Sequence, residues 1–207
     1  MRSTQALMQG QRVVLATGNP GKLRQFSELL EASGLVHVRQ SDFGIEPPPE
    51  TGSTFLENSL IKARNAARIA GLPAIADDSG LEVDALGGRP GLYSARYAGE
   101  NASDVENLHK MLAELSGVSA ERRTARYRSV IVFVESATDP APLVGAGVWE
   151  GAIAEQPLGA GGFGYDPIFV PRGETQTAAE MPAQSRNERC HRGQAARAFL
   201  AQYRSRT

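Results

Sequence analysis

The apolar residues of this chain fall into short runs and helical periodicities that alternate along the sequence. A run at residues 12–16 predicts a buried strand. The apolar residues after it recur three and four positions apart, which predicts a helix that ends at Gly34. Residues 36–38 predict a second short strand. The prolines at 47–49 predict an extended loop, because proline cannot donate a hydrogen bond to a β-ladder.

Capping residues mark two further helices. Thr54 with Glu57, and Ser103 with Glu106, have the spacing of a capping box, and an amphipathic pattern follows each pair. We expect the first of these helices to end at Gly71. The cap is a sufficient explanation for Glu57, and a catalytic role for it stays open.

An acidic pair follows the first capped helix. Residues 72–76 predict a short apolar strand that ends at Asp77-Asp78-Ser79-Gly80, and residues 81–83 predict another strand. Adjacent acids beside a buried strand repel each other and lose solvation, so a divalent metal or a proton is needed to relieve them. The alternative is an Asx turn, because Asp, Ser and Gly are ordinary turn residues.

The second half of the chain is rich in strand-forming residues. Residues 126–135 and 143–153 are rich in Val, Ile and aromatic residues around a polar stretch, which predicts a long antiparallel hairpin. A strand at 168–170, a polar loop and a final helix from about 193 to 203 follow. Strands alternating with helices, together with a hairpin, predict an α/β fold with a long mixed sheet and flanking helices.

The composition is that of an ordinary globular protein, with 41% hydrophobic residues and a net charge of -1. This balance argues against a dedicated nucleic-acid binder and favours a small-molecule partner. The lone Cys190 excludes an internal disulfide, which suits a cytoplasmic location. No apolar run approaches the ~20 residues that span a bilayer, so we expect no membrane partner. We expect one domain at 11–207 after a disordered leader at 1–10.

The turn between the first strand and the first helix is a candidate phosphate loop. It brings backbone N–H groups, a helix N-terminus and one ammonium group together, and phosphate is the natural ligand of such a turn. It is not a Walker A loop, because Ala16 and Leu23 replace a glycine and a hydroxyl residue of that motif. The alternative is a generic turn that uses Gly and Asn for left-handed backbone angles. The candidate residues are Thr17, Gly18, Asn19, Pro20, Gly21 and Lys22.

Carboxylates elsewhere in the chain indicate a metal site. Glu50 follows three prolines that stiffen its loop, and it is placed to complete a site with Asp77 and Asp78. Hard oxygen ligands favour Mg²⁺ or Mn²⁺ over zinc, and Mg²⁺ commonly takes few protein carboxylates alongside phosphates and water. Lys62 is interpreted as a solvated surface charge.

Two later segments are candidates for binding a base and an anion. Phe163 lies among three glycines, which is typical of a backbone kept bare for the close approach of a planar base, although core packing is an alternative. Residues 186–207 carry six arginines against one acid and attract anions locally. A solvated basic helix end is the alternative for that segment.

These motifs, in this order, closely resemble the inosine/xanthosine triphosphate pyrophosphatase family, and the resemblance extends from Arg12 to Leu200. The segments that carry it are Ala16 to Lys22, Glu50 to Gly52 with Phe55, Glu57, Asn58, Lys62 and Ala63, Ala76 to Leu81, Pro90-Gly91 with Tyr93 to Tyr97, Gly162 to Pro167, and His191 to Gly193.

The resemblance implies Mg²⁺-dependent hydrolysis of ITP, dITP and XTP to the monophosphate and pyrophosphate. It also implies a homodimer and a fold with two lobes around a nucleotide cleft. Glu50 and Asp78 resemble the family's metal ligands, and Asp78 resembles its proton acceptor. The positions that resemble its substrate contacts are Thr17 to Lys22, Ser79, Phe163, Gly164, Tyr165, Asp166, His191 and Arg192.

One position departs from the family pattern. Arg186 stands where the family usually has lysine, and its planar guanidinium differs from a compact ammonium, so we keep it as a candidate substrate contact. A metal-bound Asp78 is a weak base, so Asp77 or Glu57 is an alternative for handling the proton. Two rival functions are a non-enzymatic nucleotide or RNA-binding module that uses the Arg-rich end, and a phosphatase that removes one terminal phosphate.

Overall fold

The computed structural model describes residues 10–206, and the predicted leader therefore lies outside the described residues except for Gly10. The strands within this range are β1 Arg12–Leu15, β2 Val36–Arg39, β3 Ala74–Val83, β4 Thr124–Val134, β5 Leu143–Ile153 and β6 Phe169–Pro171. The α-helices are α1 Pro20–Leu29, α2 Phe55–Ala70, α3 Asp104–Glu114, α4 Ala183–Arg189 and α5 His191–Arg206.

The six strands form one sheet in the order β2-β1-β3-β4-β5-β6. Strand β1 pairs in parallel with β2 and with β3, whereas β5 pairs antiparallel with β6. The mixed sheet with flanking helices that the sequence predicts is therefore confirmed. None of the helices between residues 10 and 206 has the length and apolar character needed to cross a bilayer.

The chain divides into two compact units. Unit 1 comprises the described residues up to Asp78, residues 129–147 and the described residues from Arg192 onward. Unit 2 comprises residues 79–128 and 148–191.

The alternation of side chains along β1 explains why unit 1 has two apolar clusters. Successive residues of a strand point to opposite faces of the sheet. Val13 belongs to a cluster with Phe26 of α1 and Phe199 of α5, whereas Val14 belongs to a cluster with the buried alanines of α2. Helices α1 and α5 therefore cover one face of this part of the sheet, and α2 covers the other.

In unit 2, helix α3 packs on aromatic residues of the strands. Leu108 and Met111 on its apolar face share one buried cluster with Trp149 and Phe169. Ser103 and Glu106 form the predicted capping box at the start of this helix. The amphipathic pattern therefore predicted the burial of Leu108, Met111 and Leu115 correctly, whereas Val105 at the start of the helix is exposed.

The acidic pair does not end a strand. Strand β3 continues through Asp77-Asp78 to Val83, so the predicted break there, the separate strand at 81–83 and the Asx turn are all wrong. The backbone beyond the pair contacts Ser94, whose hydroxyl accepts the N–H of Leu81 at 2.8 Å. Gly80 lacks a Cβ, and this allows the carbonyl of Gly91 to lie against the strand. Ser79 and Gly80 therefore continue a strand that lies between β1 and β4 in the sheet.

The C-terminal region also differs from the prediction. The polar segment before the final helix contains α4, which follows Pro182, and α5 begins at His191 instead of about residue 193. Cys190 has an extended backbone (φ -67°, ψ 165°), which separates the two helices. Arg186 therefore lies within a helix, and not in a loop.

Candidate functional site

Asp77 and Asp78 are neighbours in sequence but lie on opposite faces of β3, as the alternation of strand side chains requires. Asp77 is 2% exposed and faces the side of α1 and α5, while Asp78 is 6% exposed and faces the side of α2. Each carboxylate is the centre of its own cluster of polar residues, and both clusters lie within unit 1. We call them the Asp77 cluster and the Asp78 cluster.

The Asp77 cluster joins two cations to one carboxylate. Lys22 Nζ lies 2.8 Å from Asp77 Oδ2, and Arg192 Nε lies 3.4 Å from the same oxygen. Ser129 Oγ donates to Asp77 Oδ1 at 2.5 Å, and Arg192 Nη1 donates to Gln25 Oε1 at 2.5 Å. The members of the Asp77 cluster are Lys22, Gln25, Asp77, Ser129 and Arg192.

Burial acts against the charge of Asp77, but the cations of Lys22 and Arg192 outweigh it and hold the pKa of this carboxyl far below its usual range. Burial also lowers the pKa of Lys22, and Asp77 opposes that effect. Because the Asp77 carboxylate contacts two cationic groups at short range, these contacts favour the ionised forms of Asp77 and Lys22.

The predicted phosphate loop lies at the N-terminus of α1. Asn19 is the N-cap, its Oδ1 accepts the N–H of Lys22 at 3.0 Å, and Pro20 occupies the first turn. Thr17 Oγ1 accepts the N–H of Asn19 at 3.2 Å. Asn19 has a φ of -79°, and among the described residues the glycines with positive φ do not include Gly18 or Gly21. The alternative of a turn that needs left-handed angles is therefore wrong.

The Asp78 cluster joins one cation to two carboxylates. Lys62 Nζ lies 2.8 Å from Asp78 Oδ1 and 3.0 Å from Glu50 Oε1, and Asn58 Nδ2 donates to Asp78 Oδ2 at 3.3 Å. The Lys62 side chain is only 12% exposed, so its interpretation as a solvated surface charge is wrong. The cluster consists of Glu50, Asn58, Lys62 and Asp78.

Opposing effects set the charges of this second cluster. Burial acts against the cation of Lys62, but Asp78 and Glu50 outweigh it and raise the pKa of Lys62. Burial raises the pKa of Asp78 despite the opposing cations of Lys62 and Lys22. Formally, the Asp77 cluster contains two cations and one carboxylate, and the Asp78 cluster contains one cation and two carboxylates. An anion is therefore favoured at the first and a cation at the second.

Glu57 forms the predicted capping box of α2. Its carboxylate accepts hydrogen bonds from the hydroxyl of Ser53 (2.8 Å) and from the N–H groups of Ser53 (2.6 Å) and Thr54 (3.1 Å). These bonds, chiefly the one from the Ser53 hydroxyl, lower the pKa of Glu57. The structural role that the sequence offered for Glu57 is confirmed.

The remaining predicted site residues belong mostly to unit 2. Asp166 Oδ2 accepts the N–H of Phe163 at 3.1 Å and lies 4.0 Å from Arg186 Nε. His191 stacks on Tyr127 with ring centroids 4.6 Å apart and an 8° angle between the planes. Asp166 thus joins its loop to α4 through Arg186, and the start of α5 packs on Tyr127 of β4.

Tyr165, which lies in the same loop, is committed to the packing of unit 2. Its ring is buried in the core, and its hydroxyl donates to the carbonyl of Ser94 at 2.8 Å. Burial raises the pKa of this phenol above its usual value. The side chain is thus a structural member of the loop, and its position fixes the backbone next to Phe163 and Gly164.

Within the described residues, no group of three or more His, Cys, Asp or Glu side chains is arranged to hold a metal ion. Glu50 and Asp78 nevertheless approach one common cationic group, the ammonium of Lys62. Their oxygens are hard ligands of the kind that Mg²⁺ takes when phosphates and water complete its coordination. The residues present therefore fit a Mg²⁺ ion that is bound by two carboxylates.

Several residues of the two clusters escaped the prediction from sequence. Ser129 is a small polar residue directly before the apolar half of β4, which is a weak signal for a buried polar contact. Gln25 follows Lys22 by one helical turn, so the two share a face of α1. Asn58 and Lys62 have the same relation on α2. Their roles depend on contacts with distant segments, and helix periodicity alone does not reveal these.

Comparison with known proteins identifies the family of the chain and supports its fold. The model of the Ham1 family matches residues 13–202 of the chain. The chain is 56% identical over 190 residues to a dITP/XTP pyrophosphatase of Yersinia pseudotuberculosis and 52% identical to that of Escherichia coli K12. Each alignment covers 92% of this chain and 96% of the relative. A solved Ham1 protein from Coxiella burnetii superposes with a TM-score of 0.86 at 46% identity, covering 94% of this chain and 99% of that one.

The fold is that of an α/β protein with two buried clusters of charged side chains. The chain belongs to the Ham1 family. The resemblance that the sequence motifs indicated is therefore confirmed.

Proposed function

We propose that this chain is a nucleoside triphosphate pyrophosphatase that hydrolyses the deaminated purine nucleotides ITP, dITP and XTP to the monophosphate and pyrophosphate. Its relatives named dITP/XTP pyrophosphatase support the substrate class. The observation that carries the proposal is the pairing of a cationic and an anionic cluster on the two faces of β3. A triphosphate is favoured by the cationic cluster, and a divalent cation is favoured by the anionic cluster.

In the proposed reaction, the Asp77 cluster binds the phosphates. Lys22 lies in the first turn of α1, where the helix N-terminus also favours negative charge. Arg192 adds a second buried cation on the same carboxylate. These groups are fixed before the substrate arrives, so they stabilise the charge that develops on the leaving pyrophosphate without reorganising.

Glu50 and Asp78 would hold Mg²⁺, with Mn²⁺ as a substitute. When bound, the ion would polarise a phosphate oxygen and help to neutralise the triphosphate. Lys62 contacts both carboxylates. Once these carboxylates held the ion, the ammonium of Lys62 would pair with a phosphate instead.

We assign the proton acceptor role to Asp78. The carboxylate of Asp77 is held by Lys22, Arg192 and Ser129, and that of Glu57 serves the α2 cap. Both alternatives are thus committed elsewhere, whereas Asp78 adjoins the metal position. In this assignment Asp78 orients the water that attacks the α-phosphorus, and most of the acceleration comes from electrostatic stabilisation.

Substrate-binding roles for Ser79, Phe163 to Asp166, Arg186 and His191 stay predictions, as does the homodimer. A site that donates hydrogen bonds to a 6-oxo group rejects adenine, because its 6-amino group sets a donor against a donor. The ring of Phe163 is our candidate for stacking on the base, which contributes on the order of 1–3 kcal/mol.

A product assay tests the proposed function. Purified protein is incubated with Mg²⁺ and ITP, and pyrophosphate and orthophosphate are measured separately. We expect pyrophosphate and inosine monophosphate in equal amounts, and little turnover of ATP or GTP. Release of orthophosphate alone would identify a terminal phosphatase, and equal rates on ATP, GTP and ITP would contradict the proposed specificity. Repeating the assay with a chelator and then with Mn²⁺ tests the metal.

A further inference from the structure

Asn58 links the two carboxylates of the Asp78 cluster through a second route that does not involve Lys62. It lies on α2 and is 1% exposed. Its side-chain Oδ1 accepts the N–H of Gly52 at 2.8 Å, and its Nδ2 donates to Asp78 Oδ2 at 3.3 Å. One amide thus connects the loop that carries Glu50 to the strand that carries Asp78.

The loop approaches Asn58 too closely for any residue but glycine at position 52. A Cβ built there would lie 2.7 Å from Asn58 Oδ1 and 2.6 Å from the Cβ of Glu57. The close approach fixes the backbone two residues after Glu50 against the first turns of α2. Because the Asn58 side chain is short and buried, it holds this spacing more rigidly than the long Lys62 side chain does.

We propose that Asn58 is a positioning residue that holds Glu50 and Asp78 at the spacing needed to bind the divalent cation. This inference rests on the proposed function of the site. Groups that hydrogen-bond to metal ligands fix the orientation of those ligands, and their loss typically lowers metal affinity or activity about 10–100-fold. Asn58 does this for Asp78 directly and for Glu50 through the backbone of Gly52.

The test compares the wild type with Asn58→Ala and Gly52→Ala. The first variant removes both hydrogen bonds, and the second keeps the Asp78 and Asn58 side chains but pushes the loop away from the amide oxygen of Asn58. The Mg²⁺ concentration for half-maximal pyrophosphate release from ITP is measured for each. Bound Mn²⁺ is also measured by electron paramagnetic resonance with an ITP analogue that has methylene between the α- and β-phosphorus atoms. For both variants we expect the Mg²⁺ concentration for half-maximal activity and the Mn²⁺ concentration for half-maximal binding to rise about 10–100-fold.

Asn107 provides a matched control. It is 2% exposed, occupies the same position after the capping box of α3, and bridges the N–H of Ala98 (2.7 Å) and the carbonyl of Ala95 (3.0 Å). Asn107→Ala therefore removes an equally buried amide from a helix outside the two clusters. We expect it to lower the thermal midpoint while its metal requirement stays at the wild-type value.

The outcomes separate the inference from the proposed function. If the wild type releases no pyrophosphate at any metal concentration, the proposed function fails. If the wild type is active and both variants keep its metal requirement, Asn58 has no positioning role, even if their maximal rates fall. If Asn58→Ala does not fold, Gly52→Ala decides the question by the same two measurements.

Discussion

At the scale of single residues, each of the six charged side chains in the two clusters has a partner of opposite sign. Asp77 contacts two cations, and Lys62 contacts two carboxylates. Buried ion pairs are sensitive to the removal of either member, because the remaining charge is left uncompensated. The Asp77 cluster, in which one carboxylate holds two buried cations, therefore contributes to the stability of unit 1.

We expect Asp77→Asn to lower the free energy of unfolding by about 3–5 kcal/mol, because Lys22 and Arg192 lose their shared carboxylate. Urea unfolding of the wild type and the variant measures the difference. Asp84→Asn is the control. It breaks an ion pair with Arg126 at 2.8 Å whose acid is largely exposed, and such pairs contribute about 0–1 kcal/mol. Equal effects of the two variants would contradict the importance that we give to the buried cluster.

Asp78→Asn separates chemistry from stability. An amide is a poor ligand for Mg²⁺ and cannot accept a proton, so we expect kcat/KM for ITP to fall more than about 100-fold, beyond the usual effect of outer-shell partners. Burial raises the pKa of Asp78, so replacing it with a neutral group removes a cost of burying charge. The thermal midpoint should stay equal or rise, since Lys62 retains Glu50. Full activity in this variant would overturn the metal assignment.

At the scale of elements, helix α5 packs directly on the backbone of β5. A Cβ at Gly145 would clash with the carbonyl of Ala195 and lie 2.7 Å from the N of Phe199. The bare strand lets the helix bury Phe199 against Phe133, whose ring centroid is 5.9 Å away. This contact holds α5 against the sheet, and Arg192 in the first turn of α5 contacts Asp77.

We therefore expect Gly145→Ala to destabilise the protein by about 1–3 kcal/mol, because the helix must shift to make room for the methyl group. Chemical denaturation measures the loss. The neighbouring residue Ala146 is exposed on the opposite face of the same strand, so Ala146→Thr should change stability by less than about 0.5 kcal/mol. A neutral Gly145→Ala would mean that α5 is not held against the strand as closely as the structure indicates.

Local signals in the sequence predicted the elements well. The capping boxes at Thr54 and Ser103 mark the observed helix starts, because the side chain and the backbone groups that it satisfies are only three residues apart. Strand β3 was predicted to break at the acidic pair, since Ser79 and Gly80 resemble turn residues. In the structure they belong to a strand between β1 and β4, and Ser94 contacts the next residue, Leu81; these partners are all distant in sequence.

The predictability of the site follows the same rule. The positions of Lys22 at a helix start and of Glu50 on a stiff loop were visible in the sequence, and both lie in the charged clusters. The burial of Lys62 was not visible, because a lysine on a helix is usually solvated and its two partners are 12 and 16 residues away. Opposite orientations of Asp77 and Asp78 follow from strand geometry only when the strand is known to continue.

At the scale of the whole molecule, the Arg-rich C-terminal segment is less available to an external anion than its composition indicates. Of its six arginines, Arg189 pairs with Glu174 at 2.6 Å, Arg192 pairs with Asp77, and Arg186 lies 4.0 Å from Asp166. At least three of the six arginines thus have acidic partners in the same chain. With a net charge of -1, this arrangement leaves little basis for sequence-independent binding of polynucleotides.

The dependence of polynucleotide binding on salt tests this view against the RNA-binding alternative. A module that used all six arginines of residues 186–207 on phosphates would show a slope of log K against log salt near about -4 for single strands. Since three of the six already have acidic partners, we expect a slope shallower than about -2 and weak binding at physiological salt. Fluorescence anisotropy of labelled poly(U) measures the slope and the affinity. The salt concentration is varied from roughly 50 to 200 mM, the range over which phosphate contacts weaken strongly. Tight binding with a slope near about -4 would favour a nucleic-acid partner. It would mean that the internal ion pairs break and that all six guanidinium groups contact RNA phosphates.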